Sequence, residues 1–224
     1  MSTTRWLEAG TTRAAAPLAA VTLAAMLGGC TREASGPART EQRGVDAFHS
    51  VDLRGAGDAS VEVGGTTSLS LTADDATLRD VKTSVLNGTL IIENHSSWHG
   101  SSLQMHLTIP ELRSFAVNGA GTVKIHGVHS NGLMLVVDGA GKVVADGTTT
   151  ALNARINGAG DMDLAQLGAG DTALNIKGAG HIRAQVAGSL DAKIVGAGKI
   201  EYSGSPTSLT TQVAGAGTIT GMQQ

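Results

Sequence analysis

The sequence predicts an all-β solenoid in which rungs of about 19–20 residues stack behind a β-rich N-terminal cap. Three observations predict this fold: a tripeptide repeated at a near-constant interval, apolar residues at fixed positions around it, and a scarcity of aromatic side chains. A fixed period of this kind is typical of proteins whose structural units contact only their neighbours.

The repeated tripeptide is Gly-Ala-Gly, and each copy is interpreted as one corner of a rung. Six copies recur at intervals of 18–20 residues in the second half of the chain, and another stands apart near residue 55. Glycine suits a corner because it adopts positive φ and because a Cβ atom there would crowd the next rung. A helix is excluded, since each glycine inside one costs about 1 kcal/mol. The predicted turn glycines are Gly55, Gly57, Gly119, Gly121, Gly139, Gly141, Gly158, Gly160, Gly178, Gly180, Gly196, Gly198, Gly215 and Gly217.

Two apolar columns flank the six consecutive corners. Val or Ile stands two residues before the first glycine, and Val, Ile or Met stands four residues after it. This alternation with a period of two, together with the β-branched residues, predicts short strands with one buried face. Stacked in register, equal positions of successive rungs lie about 4.8 Å apart.

Residues 48–118 lack this interval but also carry strand patterns, and they are interpreted as the cap of the stack. The strand candidates are 61–63, 69–71, 89–92 and 105–109. Asn87-Gly88 between two apolar runs predicts a hairpin with a type I′ turn. A cap is expected because the open end of a stack exposes unpaired backbone groups.

Composition restricts the core and the partners. Only 2% of the residues are aromatic, so the core must be built from Val, Ile, Leu and Ala. The formal net charge is −3, and no basic face is evident in the sequence. Nucleic acid is therefore not an expected partner.

The N-terminus resembles the signal peptide of bacterial lipoproteins. Arg5 and Arg13 form a basic region, residues 14–29 are apolar, and Cys30, the single cysteine, follows directly. The sequence therefore predicts a signal peptide over residues 1–29, lipidation of Cys30, and a flexible polar tether over residues 30–47. The lipid would make a membrane the first partner. Thr31 after the cysteine favours the outer membrane of the cell envelope, with the domain facing the periplasm or the cell surface.

The order of the motifs resembles the bacterial family named putative autotransporter adhesin, head GIN domain. The resemblance rests on residues 48–51, 86–92 and 108–112 and on the Gly-Ala-Gly ladder, and it covers roughly Asp46 to Thr220. It implies a right-handed parallel β-helix, with a cap region over residues 48–118 and the repeat region over 119–221. The family supplies no catalytic residues to transfer.

One loop is a candidate contact point. Residues 94–100 are polar and contain His95, Trp98 and His99, and Trp98 is the single tryptophan beyond the leader. Tryptophan is frequent at interaction hot spots. Packing of Trp98 over the cap is the alternative interpretation, and solvated histidines are the alternative to a metal site, because a third ligand at suitable spacing is missing. No metal or cofactor is expected.

A catalytic centre is not predicted either. Asp163, Arg183 and Glu201 share one outward position on successive rungs, so we expect a ladder of ion pairs there. The leading hypothesis is a non-enzymatic, membrane-anchored adhesion or envelope-interaction module whose ligand is an envelope glycan or protein. The alternative is a polysaccharide-binding or polysaccharide-degrading β-helix protein, which rests on analogy of fold.

Overall fold

The computed structural model describes residues 36–94 and 102–222. The predicted signal peptide lies outside these residues, as does Cys30. Strands dominate the described part of the chain, and one short helix accompanies them. The elements are β1 (Arg39–Arg43), β2 (Ser50–Ala56), β3 (Asp58–Val63), β4 (Ser68–Ala73), α1 (Asp75–Asp80), β5 (Lys82–Leu86), β6 (Thr89–Asn94), β7 (Gln104–Ile109), β8 (Ser114–Ala120), β9 (Thr122–Ser130), β10 (Leu133–Gly139), β11 (Lys142–Gly158), β12 (Asp161–Gly178), β13 (His181–Val186), β14 (Ser189–Gly196), β15 (Lys199–Ser203), β16 (Ser208–Gly215) and β17 (Thr218–Gly221).

The strands form two long parallel ladders, which confirms the predicted all-β parallel β-helix. We call the ladder of strands that precede the corners the leading sheet, and the ladder of strands that follow them the trailing sheet. The leading sheet contains β6, β2, β8, β10, the C-terminal parts of β11 and β12, β14 and β16. The trailing sheet contains β7, β3, β9, the N-terminal parts of β11 and β12, β13, β15 and β17.

The Gly-Ala-Gly corners lie directly above one another. Gly139 is paired with Gly119 on one side and with Gly158 on the other, and Gly178 continues the column. The register is therefore the one that the repeat predicts. Each rung has a second bend, which lies between its trailing strand and the next leading strand. β11 and β12 run through this bend without interruption, and their register shifts between Val144 and Asp146 in β11 and between Leu164 and Gly168 in β12.

The apolar columns of the repeat form the core. In the first column Val117, Val137, Ile156, Ile176 and Ile194 are fully buried. The second column, from Val123 to Ile200, is buried to the same degree. Val213 of β16, in the last described rung, is 46% exposed.

The rungs of the N-terminal region are not stacked in chain order. β2 pairs with β6 on one side and with β8 on the other, and β3 lies in the same way between β7 and β9. The first segment of the chain is therefore enclosed by two later ones. Gly55-Ala56-Gly57 consequently joins the same corner column as the six consecutive copies, with Gly55 opposite Gly119.

Antiparallel strands close the N-terminal end of the stack. β5 pairs with β6, β4 pairs with β7, and β1 pairs with β4. The β5–β6 hairpin turns at Asn87 and Gly88, which have φ values of 51° and 72°. Two successive residues at positive φ are what a type I′ turn requires. The predicted cap region therefore contributes both complete rungs and the closing strands β4 and β5, whereas β1 precedes it.

The helix α1 and the strand β1 were not expected from the sequence. Asp74 caps α1 by accepting a hydrogen bond from the backbone N–H of Thr77. Arg43 of β1 donates to the carbonyl oxygens of Leu78 and Val81, both at 2.7 Å, at the other end of the helix. Residues 39–43 thus form a strand within the segment predicted to be a flexible tether. An exposed edge strand lacks the apolar alternation that would have revealed it.

Candidate functional site

The predicted site residues fall into two groups. The lipidation site Cys30 and the contact loop with His95, Trp98 and His99 lie outside the described residues. The turn glycines lie at the corners of the stack. The outward side chains of the two sheets are therefore where the structure offers candidate functional groups.

The corner glycines are required by close backbone contact. Gly158 has a φ of 132°, and a Cβ atom there would lie 2.4 Å from the carbonyl oxygen of Gly139. The third glycine of the same corner, Gly160, points inward, where a Cβ atom would lie 2.6 Å from a methyl group of Val137. The tripeptide is therefore required by the close packing of the rungs. Residues other than these glycines are the candidates for ligand binding.

The trailing sheet carries the ion-pair ladder that the sequence predicts. Arg183 Nη1 lies 3.3 Å from Asp163 Oδ2, and Arg183 Nε lies 3.7 Å from Glu201 Oε2. Two further side chains join the ladder at Glu201, with His181 Nε2 at 2.9 Å and Lys199 Nζ at 2.5 Å. This part of the trailing sheet is neutralised by its own side chains.

The same contacts set the acidity of Glu201. Hydrogen bonds from Lys199 and then from His181 hold the pKa of its carboxyl group below the ordinary value for glutamate. Its side chain is 16% exposed. Glu201 is therefore ionised at neutral pH and engaged on both oxygens, which is unsuitable for a general acid.

A second histidine is also paired with a carboxylate. His126 Nδ1 lies 2.7 Å from Asp146 Oδ2, one rung away. The backbone N–H of Gly127, and to a smaller extent His126, lowers the pKa of Asp146. His126 and His129 contact different rung neighbours, Asp146 and Thr148. They do not converge on one point.

The leading sheet begins with satisfied charges. Arg54 lies 2.9 Å from a carboxylate oxygen of Asp52 and 2.9 Å from one of Glu93. Further along, Asn118 donates to Asp52 at 2.6 Å and Asn157 donates to Asp138 at 2.5 Å. These contacts bridge successive rungs and follow from the parallel register.

Three basic residues of the leading sheet are different. Arg155, Lys177 and Lys193 are exposed, and within residues 36–94 and 102–222 they form no ion pair or hydrogen bond. Arg155 and Lys193 are the register neighbours of Asn175 on either side, and Lys177 follows Asn175 two residues later on the same strand face. We call these three basic residues with Asn175 the cationic patch. The sequence alone did not reveal the cationic patch. Its members stand at outward positions one or three residues before the first glycine of a corner.

A groove of about 530 Å³ lies beside the cationic patch, because its lining residues Asn153 and Asp191 precede Arg155 and Lys193 by two positions on the same strands. It crosses the starts of the leading strands, so it runs along the stack from one rung to the next. Met134, which is 45% exposed, gives it apolar surface, and Asn153 and Asp191 give it polar groups. Asp171 also lines the groove. Hydrogen bonds lower the pKa of its carboxyl group, chiefly the one from the backbone N–H of Ser189 and then the one from the Ser189 hydroxyl.

A metal centre has no support in the described residues. No group of three or more His, Cys, Asp or Glu side chains within residues 36–94 and 102–222 is placed to hold an ion. A smaller polar depression of about 360 Å³ lies near His129 and is lined by hydroxyl groups of Ser130 and Thr148 to Thr150.

Stacked parallel rungs with glycine corners and two long sheets define the chain as a parallel β-solenoid. The sequence profile of the family described as putative auto-transporter adhesin, head GIN domain, matches residues 47–206. The chain belongs to this family. The resemblance seen in the motif order is thereby confirmed.

A solved structure shares the fold, and a second shows a weaker similarity. A putative adhesin from Bacteroides fragilis is similar, with 23% sequence identity, 84% of this chain and 98% of that chain covered, and a TM-score of 0.70. A putative lipid binding protein from Parabacteroides distasonis has 19% identity, covers 84% and 97% of the two chains, and has a TM-score of 0.49. No curated protein matches the sequence at a significant level.

The described helical content is small. α1 has six residues, and no helix in the described ranges is both long and apolar enough to span a bilayer.

Proposed function

We propose that this chain is a non-enzymatic adhesion or envelope-interaction module, held at the outer membrane of a bacterial cell by lipid on Cys30. Membership of a family described as adhesin heads is the observation that carries the proposal. A rigid stack of rungs presents broad, regular outer surfaces, which suit contact with a large ligand.

The electrostatics of the outer surface support a binding role rather than catalysis. Glycoside hydrolysis uses one carboxylic acid with a raised pKa beside a second carboxylate. In this chain Glu111, Asp146, Asp171 and Glu201 have carboxyl pKa values below the ordinary range, each because of hydrogen bonds to the ionised form. Asp163 is paired with Arg183. These groups are suited to ion pairs and turns.

Two experiments test the anchoring and the orientation. Metabolic labelling with an alkyne fatty acid should label the full chain, and Cys30→Ser should abolish the label and release the protein from the membrane fraction. Protease treatment of intact cells should degrade the domain if it is displayed at the surface. Protection of a labelled protein would contradict adhesion to external ligands and leave a periplasmic envelope role.

Polysaccharide binding or degradation is the second candidate, and the groove beside the leading sheet favours its binding form. A glycan array and a hydrolysis screen with the full chain separate the two candidates. Binding without release of reducing ends supports the proposed module. Turnover that Asp163→Asn abolishes would replace it with an enzyme.

A further inference from the structure

We propose that the cationic patch and its groove bind a linear polysaccharide that carries uronic acid groups, with the polymer lying along the stack. The inference rests on the proposed function, for which it names the class of ligand. It starts from the three cations of the patch, Arg155, Lys177 and Lys193, which the chain leaves without a partner in the described residues.

Several basic residues elsewhere on the two sheets are paired with carboxylates, whereas the patch groups three unpaired cations on adjacent rungs. Arg54 on the leading sheet and Arg183 and Lys199 on the trailing sheet each contact a carboxylate within 3.3 Å. The register that allows these pairs would have allowed partners for the patch as well. Instead Asn175 separates Arg155 from Lys193, and Asn157 lies beside Lys177. Neutral amides therefore occupy the positions where carboxylates would have neutralised the cations.

The spacing of the patch fits a repeating anion. Arg155 and Lys193 lie on strands two rungs apart, which places their backbones about 10 Å from each other along the stack. Carboxylates of a linear polymer that runs in this direction meet the cations in turn. Arginine binds a carboxylate through two parallel hydrogen bonds, and lysine binds it as a point charge.

The amides beside the cations offer hydrogen bonds to sugar hydroxyl groups. The side-chain oxygens of Asn157 and Asn175 are buried and have no hydrogen-bond partner. A buried amide oxygen without a partner is costly, and a rotation of the Asn175 side chain toward a ligand hydroxyl removes that cost, whereas Asn157 is held in place by its hydrogen bond to Asp138. Both residues lie on the outward side of the leading sheet, next to the cations.

The neighbouring carboxylates favour a sugar polymer over an anionic bilayer. Asp191 is exposed two residues before Lys193, and Asp138 lies beside Asn157. Carboxylates accept hydrogen bonds from hydroxyl groups, and a uronic acid polymer carries such hydroxyl groups beside each of its anionic groups. The groove continues this surface across several rungs, with Met134 and Asn153 among its lining residues. A narrow, extended ligand fits that shape.

The test is a binding titration of the full chain, purified in detergent, with polygalacturonate at low ionic strength. Arg155→Gln/Lys177→Gln/Lys193→Gln should weaken binding about tenfold or more, because hydrogen bonds to charged groups are lost. The matched control is Lys82→Gln/Lys124→Gln/Lys142→Gln, which removes three exposed lysines elsewhere and should change the affinity less than about twofold. Uncharged dextran should not bind.

Further measurements make each outcome decisive. The dissociation constant should rise with salt, since exposed charges are screened over about 10 Å at 0.1 M. Asn175→Leu should weaken binding without lowering the thermal midpoint of unfolding, because the substitution removes a buried oxygen that has no partner. Equal losses in the patch variant and the control would overturn the inference, as would binding to vesicles of anionic phospholipid in place of polygalacturonate. A labelled, surface-displayed protein that fails to bind polygalacturonate would sink the inference alone and leave the proposed function standing.

Discussion

The α-carbon of Gly158 lies so close beneath the carbonyl oxygen of Gly139 that a methyl group would come within 2.4 Å of that oxygen. The same relationship joins Gly178 to Gly158 and Gly196 to Gly178. It explains why the first residue of every corner is glycine: the backbone of one rung occupies the space that a side chain of the next would need.

Gly158→Ala should therefore destabilise the solenoid strongly. The residue has a φ of 132°, where a non-glycine residue costs about 1–3 kcal/mol, and the overlap with backbone adds to this cost. Gly132→Ala is the matched control, because a Cβ atom there has nothing within 4 Å. Urea denaturation of both variants measures the difference. Equal stabilities would mean that the corner relaxes and that sterics do not determine the repeat.

Ile176 tests the register of the inner column. It is fully buried and lies between Ile156 and Ile194 on the adjacent rungs. Ile176→Ala should cost about 2–5 kcal/mol, and Ile176→Asp should unfold the stack because an unpaired buried carboxylate is severely destabilising. Val195→Asp on the exposed side should be tolerated. Circular dichroism melts decide, and similar midpoints for the two aspartate variants would contradict the observed register.

The repeat region could be predicted from the sequence because every determinant is local to one rung. The apolar columns through Val137 and Ile156 specify which face is buried, and the glycines specify the corner. Asn87-Gly88 likewise specifies its hairpin by its own conformation. The ion pairs of Arg183 with Asp163 and Glu201 follow from the same register.

The order of the N-terminal rungs could not be predicted in this way. Placement of β2 between β6 and β8 depends on pairings between segments more than 30 residues apart, and β6 carries no Gly-Ala-Gly copy that would align it with β2. α1 has six residues, too few for an apolar period, and β1 is exposed on most of its residues. The cationic patch combines side chains from three rungs. It is recognised only when the outward positions of successive rungs are aligned in the observed register.

Arg43 should be necessary for closing the N-terminal end. Its guanidinium group donates to the carbonyl oxygens of Leu78 and Val81, so that it ties β1 to the end of α1. Arg43→Gln should cost about 1–3 kcal/mol, since carbonyl oxygens lose a charged donor. Arg39→Gln removes an exposed pair with Asp75 and should cost less than about 1 kcal/mol. Urea denaturation compares the two, and a larger loss for Arg39→Gln would show that the capping contact is unimportant.

Glu201 should give the trailing sheet a stability that depends on pH. Its pKa is lowered in the folded chain, chiefly by Lys199, so its contribution is complete above the unfolded value of about 4.3 and is lost as the pH falls through the folded pKa. At pH 7, Glu201→Gln should lower Tm by up to about 2–4 °C, and the difference from the unmodified chain should shrink below pH 4. Glu62→Gln, at an exposed position of the same sheet, is the control and should show no such convergence. Melting curves from pH 3 to pH 8 test this, and a Glu201→Gln difference that persists unchanged at pH 3 would show that packing, not the carboxylate charge, holds the ladder together.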